Sequence, residues 1–309
     1  MKELQCTSSL LMVRPADFHY NKEAAESNAF MEEVDPSKDT QANALQNFDA
    51  FVNKLRANGI SVLVVNDTLE PETPDSIFPN NWVSFHADGR VILYPMEVEN
   101  RRLERRMDIL DEVRKNFVMN EIIDISHLEE QGIFLEGTGS IVLDRPHKKA
   151  YVCLSSRSHQ GALDHWQNLF PEYEIITFEA FGNSGIPVYH TNVLMCVASD
   201  FVVICLESIP NKNQQQELLK AFQQTGKEVI EISFEQMGAF AGNMLQVENE
   251  ASEKILVMSS QAFNSLKKVQ IEAIERRTQI LHSELGLIET IGGGSARCML
   301  AEIHLPKRQ

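Results

Sequence analysis

The sequence predicts an α/β chain of five similar units, each a strand pair, a helix and a further strand, arranged in a closed ring. Three observations predict it. Short apolar runs of β type recur along all 309 residues, many paired across turn residues; a helix-patterned stretch follows each pair; and a last strand-like run at the carboxyl end can pair back with the first unit. No Pro/Gly/Ser-rich linker divides the chain, so a single domain over 1–309 is expected.

The first unit has a strand at 9–13, a helix near 41–57 and a strand at 60–65. That helix places Leu45, Phe48, Val52 and Leu55 on one face, and Asn58-Gly59 closes it, glycine being suited to the left-handed residue after a helix. The second unit pairs 82–86 with 90–94 across Ala87-Asp88-Gly89, continues with a helix near 99–117 carrying Leu103, Met107, Leu110 and Phe117, and ends at Ile122-Ile123. The third runs 140–143, a turn at Arg145-Pro146-His147, 150–154, a helix ending at Pro171, and 174–178. The fourth runs 192–197, a turn at Ser199-Asp200, 201–206, a helix near 212–224, and 228–232. The fifth has 244–247, 255–258 and helical patterning over 263–276; residues 298–304 read as the closing strand. With helices outside, such units bury their apolar faces against one another. An ordinary mixed α/β domain is the alternative that periodicity leaves open.

Composition narrows the function classes. A net charge of −16 argues against nucleic acid, which needs clustered Lys and Arg, and against an anionic membrane surface. The apolar run at 10–13 is too short for a secretory or spanning segment, and no run reaches 18 residues. The five cysteines (Cys6, Cys153, Cys196, Cys205 and Cys298) are odd in number and form no C-x-x-C pair. A disulfide framework and a zinc site are therefore not expected, and free thiols point to a reducing compartment, by default the cytoplasm. The glycines at 292–294 lack the Lys-Ser/Thr of a phosphate loop, and His147, His159 and His165 lack metal-ligand spacing.

Polar residues cluster at one equivalent place in the units, just before or at the first strand. Asp75, Asn80 and Asn81 precede Trp82; Glu136 precedes Ser140; His190 and Asn192 precede Val193; Asn243 follows Phe240-Ala241-Gly242; Cys298 follows Gly292-Gly293-Gly294-Ser295. In a ring, equivalent positions converge on the axis, which would deliver a Cys, a His, a Glu and several amides to one pocket. The neighbouring glycines let backbone approach a ligand closely. Cys153, Cys196 and Cys205 read as buried small hydrophobes, whereas the Gly-rich loop and Arg297 make Cys298 a partly exposed thiol in an electropositive setting.

At Leu135-Glu136-Gly137, His190, 293–299, and Asp75 with Phe78-Pro79-Asn80-Asn81, the chain resembles the guanidino-group-modifying superfamily of arginine deiminases, dimethylarginine hydrolases and amidinotransferases. The resemblance extends over essentially the whole chain and implies the five-bladed α/β propeller, or pentein, fold. It also implies Cys298 as nucleophile, His190 as acid/base, Glu136 as the carboxylate that orients the histidine, and Asp75 as a substrate-binding acid. Arg101 and Arg157 match the arginines that hold a substrate α-carboxylate, a task for which a planar guanidinium fork is suited; for Arg101, beside Arg102, Arg105 and Arg106, a solvated surface position is the alternative.

The departures bear on the substrate. Arginine-acting members commonly have Arg-Asp where this chain has Asn80-Asn81, and deiminases have His-x-Asp where it has His190-Thr191-Asn192. A carboxylate only accepts hydrogen bonds and suits a guanidinium; an amide both donates and accepts, and suits a neutral ureido group. With Asn192 and Asn243 counted among the substrate-binding residues, the expectation is hydrolysis of citrulline to ornithine, carbon dioxide and ammonia, without metal or organic cofactor. The alternatives are an arginine deiminase or amidinotransferase with the same residues, and a non-catalytic binding protein on the same fold. The implied partner is a small amino acid, and self-association is compatible with the sequence. The polar stretch 31–40 reads as a lid or a plain surface loop.

Overall fold

The computed structural model describes residues 3–34 and 39–308. Among the described residues, fifteen strands form five three-stranded sheets. The first holds β1 (Ser9–Arg14), β2 (Ser61–Asn66) and β15 (Ala301–Glu302); the second β3 (Val83–Phe85), β4 (Arg90–Leu93) and β5 (Glu121–Asp124). The third holds β6 (Ile141–Asp144), β7 (Lys149–Cys153) and β8 (Glu174–Phe178); the fourth β9 (Met195–Val197), β10 (Phe201–Ile204) and β11 (Glu228–Glu231); the fifth β12 (Leu245–Glu248), β13 (Lys254–Ser259) and β14 (Gln279–Ser283). In every sheet the middle strand runs antiparallel to one neighbour and parallel to the other. In the first sheet the antiparallel neighbour comes from the far end of the chain: Leu10 pairs with Glu302 and Leu11 with Ala301.

The middle strands are apolar on both faces because both faces are buried, and their period-2 alternation sorts side chains between two neighbours. Leu11 and Val13 pack with Val83 and Val91 of the second sheet, whereas Leu10 and Met12 pack with Val247 and Ile255 of the fifth. Ile92 joins Ile141 and Val152; Tyr151 and Cys153 join Val202; Leu256 and Met258 join that same cluster of the third to fifth sheets. Each sheet thus shares a core with the one before and the one after, and the fifth with the first. The result is a five-bladed α/β propeller.

Helices follow the expected places with corrections; the stretch read as helical over 263–276 is two helices, Ser260–Ser265 and Lys268–Glu275, separated by extended residues at Leu266 and Lys267. The stretch near 99–117 is two helices, Glu99–Arg102 and Met107–Asn116, and Leu103 and Met107 are exposed. The face that packs is Ile109, Leu110, Val113 and Phe117, because the chain turns at Arg106, which is extended at φ −95°, ψ 123°. The carboxyl-terminal strand is shorter than 298–304, since residues 295–300 form turns with Cys298 N–H and Met299 N–H on the Ser295 carbonyl. The fifth unit also contains β14 and a helix over Gly286–Gly292 that the periodicity did not show. Of the stretch 31–40, residues 35–38 lie outside the described residues. Among those described, no helix is long and apolar enough to cross a membrane.

If β15 closes the ring, removing residues 301–309 should leave both β1 and its Leu11/Val13 face unpaired. The truncated chain should aggregate, with loss of the near-ultraviolet circular dichroism of the full chain; a monomeric product that melts cooperatively would count against closure.

Candidate active site

In three blades the segment before the inner strand makes a short helical turn, and these turns pack against one another at the axis. Pro79–Asn81 precedes β3, Gly137–Ser140 precedes β6 and Thr191–Leu194 precedes β9. This is why strands expected from 140 and 192 begin later. Glycine is needed for a reason other than ligand approach: a Cβ on Gly137, at φ +48°, would lie 2.3 Å from the Asn80 carbonyl, and one on Gly139 would lie 2.8 Å from His190 Nδ1. The glycines let the turns meet each other.

This packing gathers Asp75, Asn80, Asn81, Glu136, His190, Asn192, Asn243 and Cys298, all buried. Glu136 Oε2 lies 2.9 Å from His190 Nε2, 3.5 Å from Arg157 Nη1 and 3.8 Å from Arg101 Nη1; its Oε1 accepts the Glu97 backbone N–H at 3.0 Å. Burial pushes this carboxyl up, but Arg157, His190 and Arg101 outweigh it and hold Glu136 well below the usual carboxylate range. An ionised carboxylate only accepts, so Nε2 carries the imidazole proton and Nδ1 presents a lone pair. Burial holds His190 below its ordinary value despite the pull of Glu136, which keeps the ring neutral at pH 7.

Two amides converge on the Cys298 sulfur. Asn243 Nδ2 donates at 3.2 Å and Asn192 Nδ2 at 3.5 Å; the Arg297 backbone N–H donates to Asn243 Oδ1 at 3.0 Å, which fixes that amide with its N–H toward the sulfur. Cys298 is 3% exposed rather than partly open, and Arg297 points away from it, to the Leu300 carbonyl and Glu302. The side chain next in sequence to the nucleophile candidate leaves on the opposite side of the turn, so it does not make the thiol's surroundings electropositive.

Both predicted arginines are buried, Arg101 at 3% and Arg157 at 1%, and both are engaged. Arg101 donates from Nε and Nη2 to the two oxygens of Glu104 at 2.8 and 3.0 Å, and from Nη1 to Asn81 Oδ1 at 3.0 Å. Burial works against its charge, but Glu104 and Asp75 more than compensate and hold the guanidinium charged. Arg157 donates to the Ala24 carbonyl at 2.8 Å and to Ser27 Oγ at 2.9 and 3.0 Å. Arg102, by contrast, turns to the carbonyls of Met96 and Glu97, and Arg105 to Glu129.

Residues 18–31 cover this centre. Asn21 Nδ2 donates to Asp75 Oδ2 at 2.8 Å, Ser27 Oγ to Glu97 at 2.7 Å, and Asn28 Nδ2 to the Gly293 carbonyl at 3.3 Å. Phe30 packs edge-on against Tyr189, whose hydroxyl donates to that same Gly293 carbonyl. Glu104, Asn21, Ser27 and Asn28 were not picked out in the sequence: each is a common surface residue type without a motif, and only burial distinguishes Glu104, Asn21 and Asn28, and only its bonds to Arg157 and Glu97 distinguish the half-buried Ser27. Burial raises Asp75 above its ordinary value against the pull of Arg101 and Asn21, and its Oδ1 has no hydrogen-bond partner; neither has Asn80 Nδ2.

The class follows from the fold and this cluster: a five-bladed propeller whose axis gathers Cys, His and Glu. The model of the family "N,N dimethylarginine dimethylhydrolase, eukaryotic" matches residues 14–305, and the chain belongs to that family. No curated protein sequence matches it. Among solved structures, the substrate-bound N-terminal domain of ArgZ, an arginine dihydrolase from the ornithine-ammonia cycle in cyanobacteria, superposes with a TM-score of 0.76 at 15% identity, over 96% of this chain and 98% of that one. Unliganded AgrE gives 0.74 at 16%, over 97% and 40%. DDAH from Pseudomonas aeruginosa, as a Cys-to-Ser variant complexed with citrulline, gives 0.66 at 16%, over 97% and 100%. The chain spans 41% of full-length ArgZ.

The buried histidines His86, His190 and His304 all lie below their ordinary value of 6.5, chiefly through burial. The unfolded chain therefore binds more protons below pH 6.5, and stability should fall as pH drops through that value. Glu136 adds a further loss below about pH 4.5, while Asp75, shifted upward, opposes it. Glu104, which burial pushes up to about 7 against the pull of Arg101, opposes the histidines over this interval, but three histidines outnumber it, so melting temperatures from pH 8 to 5 should decline overall; a rising profile would contradict the buried neutral histidines.

Proposed function

We propose that the protein hydrolyses a ureido amino acid, citrulline fitting best, through a covalent intermediate on Cys298. The observation that carries this reading is a relay of amides. Arg101 has only donors, so the Asn81 oxygen must face it; Asn81 Nδ2 then donates to Asn80 Oδ1 at 3.0 Å, and Asn80 Nδ2 is left as an unpaired buried donor. Among the residues gathered at the site, the other unpaired buried polar atom is an acceptor, Asp75 Oδ1; Ser76 Oγ and Trp82 Nε1 are unpaired in the same stretch as well. A ureido group brings both complements, a carbonyl oxygen for Asn80 and N–H groups for Asp75. A guanidinium brings only donors and would leave the Asn80 N–H unpaired, at a cost of about 1–3 kcal/mol.

The Cys298 thiol gives its proton to neutral His190 as the sulfur attacks the ureido carbon. Asn192 and Asn243 donate to the sulfur and support charge there as it forms. His190 passes the proton to the δ-nitrogen; the C–N bond breaks, releasing ornithine and leaving an S-carbamoyl enzyme. Water, deprotonated by His190, attacks that carbon; carbamate leaves and decomposes to carbon dioxide and ammonia, and the sulfur takes back its proton. Glu136 holds the imidazole tautomer and stabilises its protonated form, as the third member of a triad does. Citrulline in the Pseudomonas structure is consistent with this shape of ligand.

Arginine or a methylated arginine is the second reading, favoured by the family and by the unpaired Asp75 oxygen. Incubation with citrulline and arginine side by side, followed by mass spectrometry, separates the two: ornithine from citrulline supports the ureido reading, and citrulline from arginine with citrulline itself untouched overturns it. Cys298→Ser should abolish turnover while leaving the melting temperature within a few degrees of the parent. Asn80→Asp, which replaces the free donor by an acceptor, should lower kcat/KM for citrulline about 10- to 100-fold.

A further inference from the structure

Strands β6 and β7 pair in a register that sets Ile141 against Val152 and Val142 against Tyr151. Continued by one residue, that register would set Ser140 against Cys153. Backbone groups alternate in direction along a strand, and the Leu154 N–H bonds to the Phe178 carbonyl of β8 at 2.8 Å, so the Cys153 N–H faces β6. The ladder nevertheless stops there. Thr191 Oγ1 stands in the gap, donating to the Ser140 carbonyl at 2.6 Å and accepting from the Cys153 N–H at 2.7 Å. A hydroxyl suits this place because it donates and accepts through one atom. Thr191 is wholly buried.

Both sides of that gap belong to the site. Ser140 ends the turn that follows Glu136, and its own Oγ accepts the Glu136 N–H at 3.0 Å. Thr191 lies between His190, which faces Glu136 across 2.9 Å, and Asn192, which donates to the Cys298 sulfur. On the other side of His190, Ser155 Oγ donates to the Tyr189 carbonyl at 2.7 Å. Both hydrogen bonds of the Thr191 hydroxyl go to backbone, so it acts on the reaction through its neighbours.

We propose that Thr191 is a positioning residue of this centre: standing in for the missing rung between β6 and β7, it seats the turn of His190 and Asn192 against the turn of Glu136. The proposal rests on the Cys298–His190–Glu136 chemistry given above and is independent of which ureido or guanidino substrate enters. Without the hydroxyl, the Ser140 carbonyl and the Cys153 N–H are left buried and unpaired where the two turns meet. They then close on each other or draw in water. Either rearrangement moves His190 relative to Glu136 and Asn192 relative to the sulfur.

Thr191→Val keeps the shape and removes the hydroxyl; Thr191→Ser keeps the hydroxyl and removes a methyl. Both are assayed well below their melting temperatures, on the substrate that the parent turns over. Thr191→Val should lose about 10- to 100-fold in kcat with KM within about 2-fold, since a misplaced acid/base acts on the chemical step. Thr191→Ser should stay within about 3-fold of the parent. A residue that serves only the fold would lower the melting temperature and leave kcat in place. Parental kcat in Thr191→Val, or a loss in Thr191→Ser as deep as in Thr191→Val, overturns the proposal. Should Thr191→Val fail to fold, Thr191→Ala, with room for a water beside Cys153, is compared with Thr191→Ser under the same two criteria. Alkylation of Cys298 by iodoacetamide, read by peptide mass mapping, needs no substrate and separates the proposal from the chemistry beneath it. His190→Ala and Thr191→Val should both slow it. If His190→Ala leaves the rate unchanged, the Cys–His reading fails and Thr191 with it; if His190→Ala slows it and Thr191→Val does not, Thr191 falls by itself.

Discussion

Every middle strand of this protein is buried on both faces, and in β1, β4, β7 and β13 the two faces belong to two different cores, while those of β10 share one. A strand such as β1, with Leu10 and Met12 toward the fifth sheet and Leu11 and Val13 toward the second, cannot satisfy both in an open row of sheets. Closure removes the exposed end faces that a row would leave, and it requires the chain's last strand to pair with its first. The outer strands show where the constraint stops. In β2, β5 and β11 the burial is partial, and charged residues such as Glu121, Asp124, Glu228 and Glu231 occupy their ends. Charge on such edges discourages pairing with other chains.

Closure also explains why the site is polar and buried at once. The turns that lead into the inner strands meet at the axis, so groups that would be solvated in an isolated hairpin are pressed together there. Each then needs a partner inside the protein. Glu136 takes His190, Arg157, Arg101 and a backbone N–H, and the electrostatic gain decides the outcome. Unit charges about 4 Å apart attract by roughly 4 kcal/mol at an effective dielectric of about 20, so two cations outweigh the burial of one carboxylate. Asp75 and Glu104 show the opposite balance: Arg101 is the main cation facing each, and burial prevails in both, pushing Glu104 up to about 7.

Much of the fold was legible because two-sided burial writes itself into the sequence as short uninterrupted apolar runs. The helix over Lys212–Gln224 and the strand over Glu174–Phe178 coincide with what periodicity predicts. The helical turns at Gly137–Ser140 and Thr191–Leu194 were not legible, since four buried residues carry no period. Leu103 and Met107 misled for a related reason: an i, i+4 pair of apolar residues looks like a packed face until a break at Arg106 rotates them outward. In the site, residue types and their place before each inner strand marked Cys298, His190, Glu136 and the asparagines. Residue chemistry did not separate Arg101 from Arg102, Arg105 and Arg106, which are chemically equal and differ only in partner; the family resemblance alone singled it out, and burial bears out its place at the axis over the surface alternative.

By itself the sequence determined the kind of architecture and the set of side chains that could meet. Alternation and turn residues act over a few positions and need no knowledge of distant chain. Tertiary structure alone decided orientation. Arg101 is fixed by Glu104, Asn81 by Arg101 and Asn80 by Asn81, while Arg297 is turned away from the sulfur of its neighbour Cys298. A hydrogen-bonded amide or guanidinium has its direction set by whatever lies across the gap, and what lies across each gap was settled only when the five blades closed.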